Sequence, residues 1–215
     1  MSSNTLDDEV FQYTGRETVP KDVAIVHFHS TVVDVEDEAF RKCKQLKEVV
    51  LNSGLQTIGA GAFKQCKSLE RITLPSTVIE IRYAAFDNCK SLNEVILNSG
   101  LEKIDNFVFD GCESLESITL PSTVTDIGVE AFIGCKSLRE VVLNEGLRKI
   151  EGSSFGCCSS LESITIPSSV VEIGSWAFHG CSSLRVVVLN EVYRRSRKRH
   201  FQIAAHWKLS RYPQL

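Results

Sequence analysis

The sequence lacks the segments that secretion or membrane insertion would require. No stretch approaches the length of an apolar membrane-spanning helix. The start of the chain has no basic region followed by an apolar run, so it does not fit a secretory signal. No Asn-x-Ser/Thr glycosylation site occurs. We therefore expect a cytoplasmic protein that does not bind membranes and whose eight cysteines are mostly reduced thiols.

Acidic residues are absent after Glu191, although seven basic residues follow there. Residues 1–193 then hold 17 bases and 27 acids, a net charge of about −10 against about +7 for the tail. The run from Arg194 to Arg199 fits a nuclear import signal, a solvated tail or part of a cap over the last repeat. Nucleic-acid binding is not expected, because phosphate contacts need a basic surface and the body is acidic.

What the chain does contain is one short unit, repeated. Cysteine recurs every 23 residues, and phenylalanine runs three positions ahead of it from Phe40 to Phe178. A fixed period of this length indicates an array of small units that stack on one another. The cysteines in step are Cys43, Cys66, Cys89, Cys112, Cys135, Cys158 and Cys181.

Each unit combines a strand pattern with a helical one. Ile72-Thr73-Leu74 alternates apolar and polar residues, which predicts a strand, and a second short strand fits Val78 to Ile81. The Ala-Phe-x-x-Cys-x-x-Leu stretch has apolar residues three to four apart, which suits one helical turn. One unit buries too little apolar surface to fold alone, so about seven coils must stack into a solenoid.

The full period is two units, because two kinds of unit alternate. Asn-Ser-Gly-Leu or Asn-Glu-Gly-Leu follows the strand in one kind, and Pro-Ser-Thr-Val or Pro-Ser-Ser-Val follows it in the other. The doubling also alternates charge at one position of the second strand. There, acids and lysines should face each other on neighbouring coils, as a scaffold ladder: Thr57, Glu80, Lys103, Asp126, Lys149 and Glu172.

The pattern Leu-x-x-Val-x-Leu-x-x-Gly-Leu-x-x-Ile followed by Ala-Phe-x-x-Cys resembles the BspA-type leucine-rich repeat over residues 26–190. The resemblance implies an α/β solenoid, a right-handed coil with a parallel sheet on its concave side. It also implies an adhesion or protein-interaction module. We expect an N-terminal extension at 1–22, the repeat array at 23–193, and a basic C-terminal tail or cap at 194–215.

No catalytic or metal-binding pattern competes with this reading. One cysteine per coil beside a buried phenylalanine favours a small packing residue, whereas metal sites need clustered ligands. Cys157 lies outside the ladder and is the better candidate for a reactive thiol. Ser154 formally fits a Gly-x-Ser-x-Gly nucleophile elbow, but it occupies a position that is alanine in most units. We expect no enzyme, cofactor or metal.

The outward positions of the first strand are the candidate binding residues. Its second outward ladder is β-branched in every coil, which reflects either strand propensity or a partly apolar strip that docks a protein. We hypothesise a monomeric scaffold that binds a protein through its concave face; the alternative is a structural or cell-surface adhesion module of a larger protein. The candidates are Glu48, Val50, Arg71, Thr73, Glu94, Ile96, Thr119, Glu140, Val142 and Thr165.

Overall fold

The structure, a computed structural model, describes residues 10–189 and 208–210. Within these ranges the chain winds into a solenoid of parallel strands whose coils repeat every 23 residues, as in the pairing of Ile72 with Val95. The coils from β4 to β15 each contribute a three-residue strand, a two-residue strand and a segment of turns. The predicted solenoid and its period are confirmed.

The longer strands lie side by side on one side of the solenoid and are called here the long-strand side. They are β1 Val10–Tyr13, β2 Ile25–Phe28, β4 Glu48–Val50, β6 Arg71–Thr73, β8 Glu94–Ile96, β10 Ser117–Thr119, β12 Glu140–Val142, β14 Ser163–Thr165, β16 Val186–Val188 and β17 Lys208–Ser210. The two-residue strands form one continuous parallel sheet, the short-strand sheet. They are β3 Asp34–Val35, β5 Thr57–Ile58, β7 Glu80–Ile81, β9 Lys103–Ile104, β11 Asp126–Ile127, β13 Lys149–Ile150 and β15 Glu172–Ile173.

The predicted helical turn is wrong, and so is the α/β class: residues 10–189 and 208–210 contain no helix. The Ala-Phe-x-x-Cys segments form turns whose amides bond to the next coil. Gly61 N donates to Tyr83 O and Phe63 N to Ala85 O, both at 2.8 Å. Because these amides are used between coils, they cannot make the i to i−4 bonds of an α-helix.

Left-handed backbone at two fixed positions in every coil also prevents a helix. The first position is held by Glu38, Gly61, Ala84, Phe107, Glu130, Ser153 and Trp176, with φ between 53° and 64°. The second is held by Lys42, Gln65, Asn88, Gly111, Gly134, Cys157 and Gly180, with φ between 57° and 72°. A right-handed helix has negative φ throughout, so each position ends any helical run after a few residues.

A column of phenylalanine rings runs through the core. From Phe40 to Phe178 successive rings are nearly parallel, within 15°, and their centroids are 5.0–5.6 Å apart. At the N-terminal end the column continues into Phe28 and the buried ring of Tyr13, whose centroid lies 4.9 Å from that of Phe40. The column thus joins all the coils into one core.

Polar side chains tie each coil to the preceding one, and the two kinds of unit do this differently. In one kind, Asn98 donates from Nδ2 to Val78 O at 3.0 Å and accepts from Gly100 N at 2.5 Å. In the other, the hydroxyl of Thr123 donates to Leu101 O at 2.5 Å. These alternating hydrogen bonds explain the 46-residue period, because the side chain of each kind of coil donates to a backbone carbonyl of the other kind.

Both ends of the solenoid carry an additional strand. β1 pairs in parallel with β2, and β17 pairs with β16 in a register that places Leu209 opposite Val187. The basic run from Arg194 to Arg199 lies outside the described residues. No part of the described chain forms a helix of the length and hydropathy that crossing a membrane requires.

Candidate protein-binding face

All ten candidate residues lie at the outer positions of the long strands. In β6 the middle residue, Ile72, is 1% exposed, whereas Arg71 and Thr73 on either side of it are exposed. This alternation follows from the two-residue period of a strand, and it recurs from β4 to β14. We call the exposed first and third residues of β4, β6, β8, β10, β12 and β14 the strand face.

Exposed apolar side chains occur in every second coil of the strand face. Val50, Ile96 and Val142 are 44–48% exposed, and threonines occupy the same position in the coils between them. These three residues belong to the units that carry asparagine after the strand. The strand face therefore has its own 46-residue period, and its apolar groups are separated by two coils.

Strand pairing on the long-strand side is interrupted with the same period. β6 pairs with β8, β10 with β12 and β14 with β16, and in each pair a proline coil bonds to the asparagine coil that follows. Within the described coils, no such pairing joins β4 to β6, β8 to β10 or β12 to β14. The short-strand sheet continues across all three interruptions, so the coils remain in register.

Two of these interruptions open into clefts. The cleft between β4 and β6 has a volume of about 640 Å³, and Val49, Val50, Leu51 and Pro75 form its apolar lining. A cleft of about 400 Å³ separates β8 from β10. It is lined by Glu94, Val95, Ile96, Leu97, Ser117, Thr119 and Pro121.

The exposure of the leucine after each long strand differs between the two kinds of coil. Leu74 and Leu120, in the proline coils, are 4% exposed. Leu51, Leu97 and Leu143, in the asparagine coils, are only partly buried. The clefts thus expose apolar surface that identical residues bury elsewhere in the array. The sequence did not predict this difference, because all five positions hold leucine at the same place in the repeat.

The charges of the strand face also alternate. Glu48, Glu94 and Glu140 occupy the first strand position in the asparagine coils, and Arg71 occupies it in one proline coil. Arg71 Nε lies 4.0 Å from Glu94 Oε2, and both side chains are more than half exposed. Such a pair contributes little to stability, and it leaves the strand face with an excess of carboxylates.

The predicted charge ladder of the short-strand sheet has the expected register. Asp126 is the partner of both Lys103 and Lys149. Among these residues Lys149 Nζ lies 3.3 Å from Glu172 Oε2 on the next coil, whereas Lys103 lies 3.6 Å from Asp105 of its own coil. The ladder is therefore part of the scaffold, and its charges are met partly within coils and partly between them.

The ladder cysteines are buried, as predicted, and none of them forms a disulfide in the described part of the chain. From Cys66 onward each thiol donates to the carbonyl of the phenylalanine 26 residues earlier, at 3.0–3.3 Å. Desolvation raises the pKa of the thiols of Cys66, Cys89, Cys112 and Cys135, which makes the reactive thiolate scarce. Their role is thus to fill space and to hydrogen-bond one coil to the previous one.

The two residues singled out for reactivity have different surroundings. Ser154 is fully buried, and its hydroxyl has two carbonyl acceptors in reach of its one proton, Gly128 O at 2.9 Å and Glu151 O at 2.6 Å. It is therefore not presented at a strand-to-helix turn as a nucleophile elbow requires. Cys157 is exposed and has a left-handed backbone with φ 58°, a position that glycine fills in three other coils.

A carboxylate cluster lies on the turn side of adjacent coils. Lys64 Nζ contacts Asp87 Oδ2 at 2.5 Å, and Asp87 is 6% exposed. Partial burial, and then the charges of Asp87 and Glu130, raise the pKa of Asp110 to about 6, while Lys64 opposes this shift. The ionised form of Asp110 is thus less favourable in the folded state than in the unfolded chain.

Asp110→Asn is expected to raise the melting temperature at pH 7.5 by about 2–4 °C, equivalent to about 1 kcal/mol for a half-exposed carboxylate. The pKa of Asp110 is higher in the folded than in the unfolded chain. Ionised Asp110 therefore destabilises the fold fully above pH about 6, and this destabilisation disappears as the pH falls towards 4. Melting curves from pH 4 to 8 test this. Asp34→Asn, at an exposed site, is the control, and an equal effect of both variants would contradict the assignment.

A family model described as BspA type Leucine rich repeat region matches the chain over residues 20–135 and 102–206, in six copies. These two ranges together include nearly all of the described coils. No curated protein matches the chain in sequence.

Solved bacterial structures share the fold. A T. pallidum leucine-rich repeat protein is 34% identical with a TM-score of 0.72, and the match covers 82% of each chain. One from Eubacterium ventriosum ATCC 27560 is 30% identical with a TM-score of 0.69, over 73% of this chain and 42% of that one. A leucine-rich cell surface protein from Faecalibacterium prausnitzii A2-165 is 25% identical with a TM-score of 0.50, over 79% and 54%. The chain thus spans about half the length of the last two proteins.

Proposed function

The chain belongs to the BspA-type leucine-rich repeat family, and on that premise we propose that it is a non-enzymatic scaffold that binds a protein partner through the strand face. Proteins of this family are typically surface or interaction modules. The observation that carries the proposal is the pair of clefts in the long-strand side. Seven of the ten candidate residues line them, and the remaining three lie on β12 and β14.

The strand face runs across successive coils of the solenoid. A partner lying along it would contact several coils at once, as expected for solenoid proteins.

Adhesion is the second candidate function, as a structural or surface module of a larger protein. The likeness to the F. prausnitzii cell surface protein favours it. Labelling of intact source cells with a membrane-impermeant reagent separates the two: labelled protein supports adhesion, and protein labelled only after lysis supports the cytoplasmic scaffold. In both cases we take 23–193 as the binding array and 194–215 as a basic C-terminal tail or cap.

Thr73→Arg combined with Thr119→Arg is expected to abolish capture of the partner by the purified chain. Both threonines are exposed on the strand face and line the two clefts, so arginine there blocks docking without disturbing the core. The measurement is affinity capture from source cells with quantification of the retained protein, alongside melting curves that should be unchanged. The control with equal charge is Gln56→Arg with Thr125→Arg, beside the short-strand sheet. Retention of the partner by the strand-face variant would refute the proposed site.

A further inference from the structure

The interruptions of the strand face bring together a repeating set of side chains. In each set one strand holds a glutamate and an exposed valine or isoleucine and is followed by a half-buried leucine, and the next strand ends in threonine and is followed by proline. The three sets are Glu48, Val50 and Leu51 with Thr73 and Pro75; Glu94, Ile96 and Leu97 with Thr119 and Pro121; and Glu140, Val142 and Leu143 with Thr165 and Pro167.

The distance between equivalent positions is fixed by the coils. Neighbouring sets are two coils apart, and the continuous short-strand sheet holds every coil in register. Paired strands lie about 4.8 Å apart, and one of the two strand junctions in each interval is unpaired, so equivalent groups recur at intervals of at least about 9.6 Å along the solenoid axis. A ligand that meets all three sets must therefore present the same chemical group at that interval.

The interval selects the backbone conformation of a peptide ligand. A polyproline II helix has three residues per turn and about 3.1 Å rise per residue, so every third side chain returns to one face after about 9.3 Å. In a β-strand every third side chain lies on the opposite face. In an α-helix side chains seven apart are separated by about 10.5 Å, so a helix is the competing conformation, and only a polyproline II segment meets the interval with three residues per repeat.

The charges select the side chain. One exposed carboxylate belongs to each set, and the body of the chain carries a net charge of about −10. Arg71 lies 4.0 Å from Glu94, and in the next two proline coils its place is taken by Ser117 and Ser163. From β8 to β14 the strand face itself carries two glutamates and no base, although the exposed Arg139 precedes Glu140, so this part of the face favours cations.

We propose that the strand face binds an extended basic peptide in the polyproline II conformation, which lies across the strands with arginine or lysine at every third residue. The basic groups pair with Glu48, Glu94 and Glu140, and the intervening residues pack on Val50, Ile96 and Val142. Polyproline II segments suit such a site because their conformation is already formed, so little entropy is lost on binding. This inference rests on the proposed function and specifies the chemistry of its partner.

Two peptides of equal composition test the spacing. The first contains four Pro-Pro-Arg repeats, and the second contains the same residues with its arginines consecutive. Measured by fluorescence anisotropy with the full chain, the periodic peptide is expected to bind about tenfold more tightly, because its contacts act together. Its affinity should fall as salt is added. Equal affinity for the two peptides would overturn the proposal, as would tighter binding of a helical peptide with arginine at every seventh residue.

Variants test the carboxylates. Glu94→Gln with Glu140→Gln should weaken binding of the periodic peptide about tenfold, since an exposed ion pair changes an equilibrium by up to about fivefold. Asp34→Asn with Glu102→Gln removes the same charge from exposed sites elsewhere and should have less than about a twofold effect. All four side chains are exposed, so melting temperatures should not change. An equal loss in both pairs would show a general charge effect and refute the specific contacts.

The two proposals can fail separately. If the arginine substitutions at Thr73 and Thr119 abolish partner capture while neither peptide binds, the strand face is the docking site and the periodic basic ligand is wrong. If those substitutions leave partner capture intact, the proposed function itself is wrong, whichever peptide binds.

Discussion

Phe109→Ala is expected to lower the free energy of unfolding by about 3–5 kcal/mol, the usual cost of removing a fully buried aromatic side chain. Phe109 is 0% exposed, and its ring stacks on those of Phe86 and Phe132 at 5.5 and 5.3 Å. Alanine would leave a cavity between two coils that are already linked by backbone hydrogen bonds and cannot collapse freely. Urea unfolding followed by circular dichroism measures the loss.

The position of Phe109 near the middle of the array adds a second expectation. Coils contact only their neighbours, so a weakened central junction separates an N-terminal from a C-terminal half. We expect the single transition of the parent chain to broaden or to split in two. Phe107→Ala is the matched control, because this residue is half-buried two positions away and its ring contacts only Tyr83 among the described rings. Equal losses in the two variants would contradict a special role for the column.

The strands could be predicted because the sequence shows both where they lie and what they pair with. The alternation within Ile72-Thr73-Leu74 indicates the strand, and the 23-residue period identifies Val95 as the partner of Ile72 in the next coil. The register of the charge ladder follows from the same 23-residue offset between coils. Once coils are stacked with a fixed period, any two residues separated by it must lie side by side.

The turn segments could not be predicted in this way. Residues such as Phe63, Cys66 and Leu69 have a helical spacing because they all face one core, and that spacing does not require a helix. What decides the conformation is a left-handed residue at two positions per coil, held by bonds to the next coil. Glycine at 111, 134 and 180 was a local signal of the second position. The first position has a glycine only at Gly61, so sequence offered little warning of it.

The candidate residues were placed correctly on the outside of the strands, but the clefts were not foreseen. Leu74 and Leu97 occupy the same position in the repeat, yet only the latter is partly exposed. The difference depends on which neighbouring strands bond to each other, a property of the backbone that no single residue type specifies. The alternation of proline and asparagine units was the available signal, since it has the same period as the interruptions.

Asn98→Ala is expected to cost about 2–3 kcal/mol, because it leaves buried backbone groups without partners. Asn98 is 9% exposed and bonds in both directions, from Nδ2 to Val78 O of the preceding coil and from Gly100 N to its own Oδ1. The first bond ties two coils together, and the second shapes the turn after β8. Guanidinium unfolding at pH 7 measures the combined loss.

Asn98→Asp separates the two bonds. Aspartate keeps an oxygen that can accept from the amide of Gly100, but it replaces the amide donor with a charged acceptor that faces the carbonyl of Val78. At pH 7 the loss of unfolding free energy should therefore be at least as large as for Asn98→Ala. Lowering the pH to 4 should recover part of it, since a protonated carboxyl can donate. Asn93→Ala, at an exposed position five residues earlier, should change stability by less than about 0.5 kcal/mol. A milder effect of aspartate than of alanine at pH 7 would show that the turn bond dominates. The alternating units would then differ mainly in their turns rather than in how they join the coils.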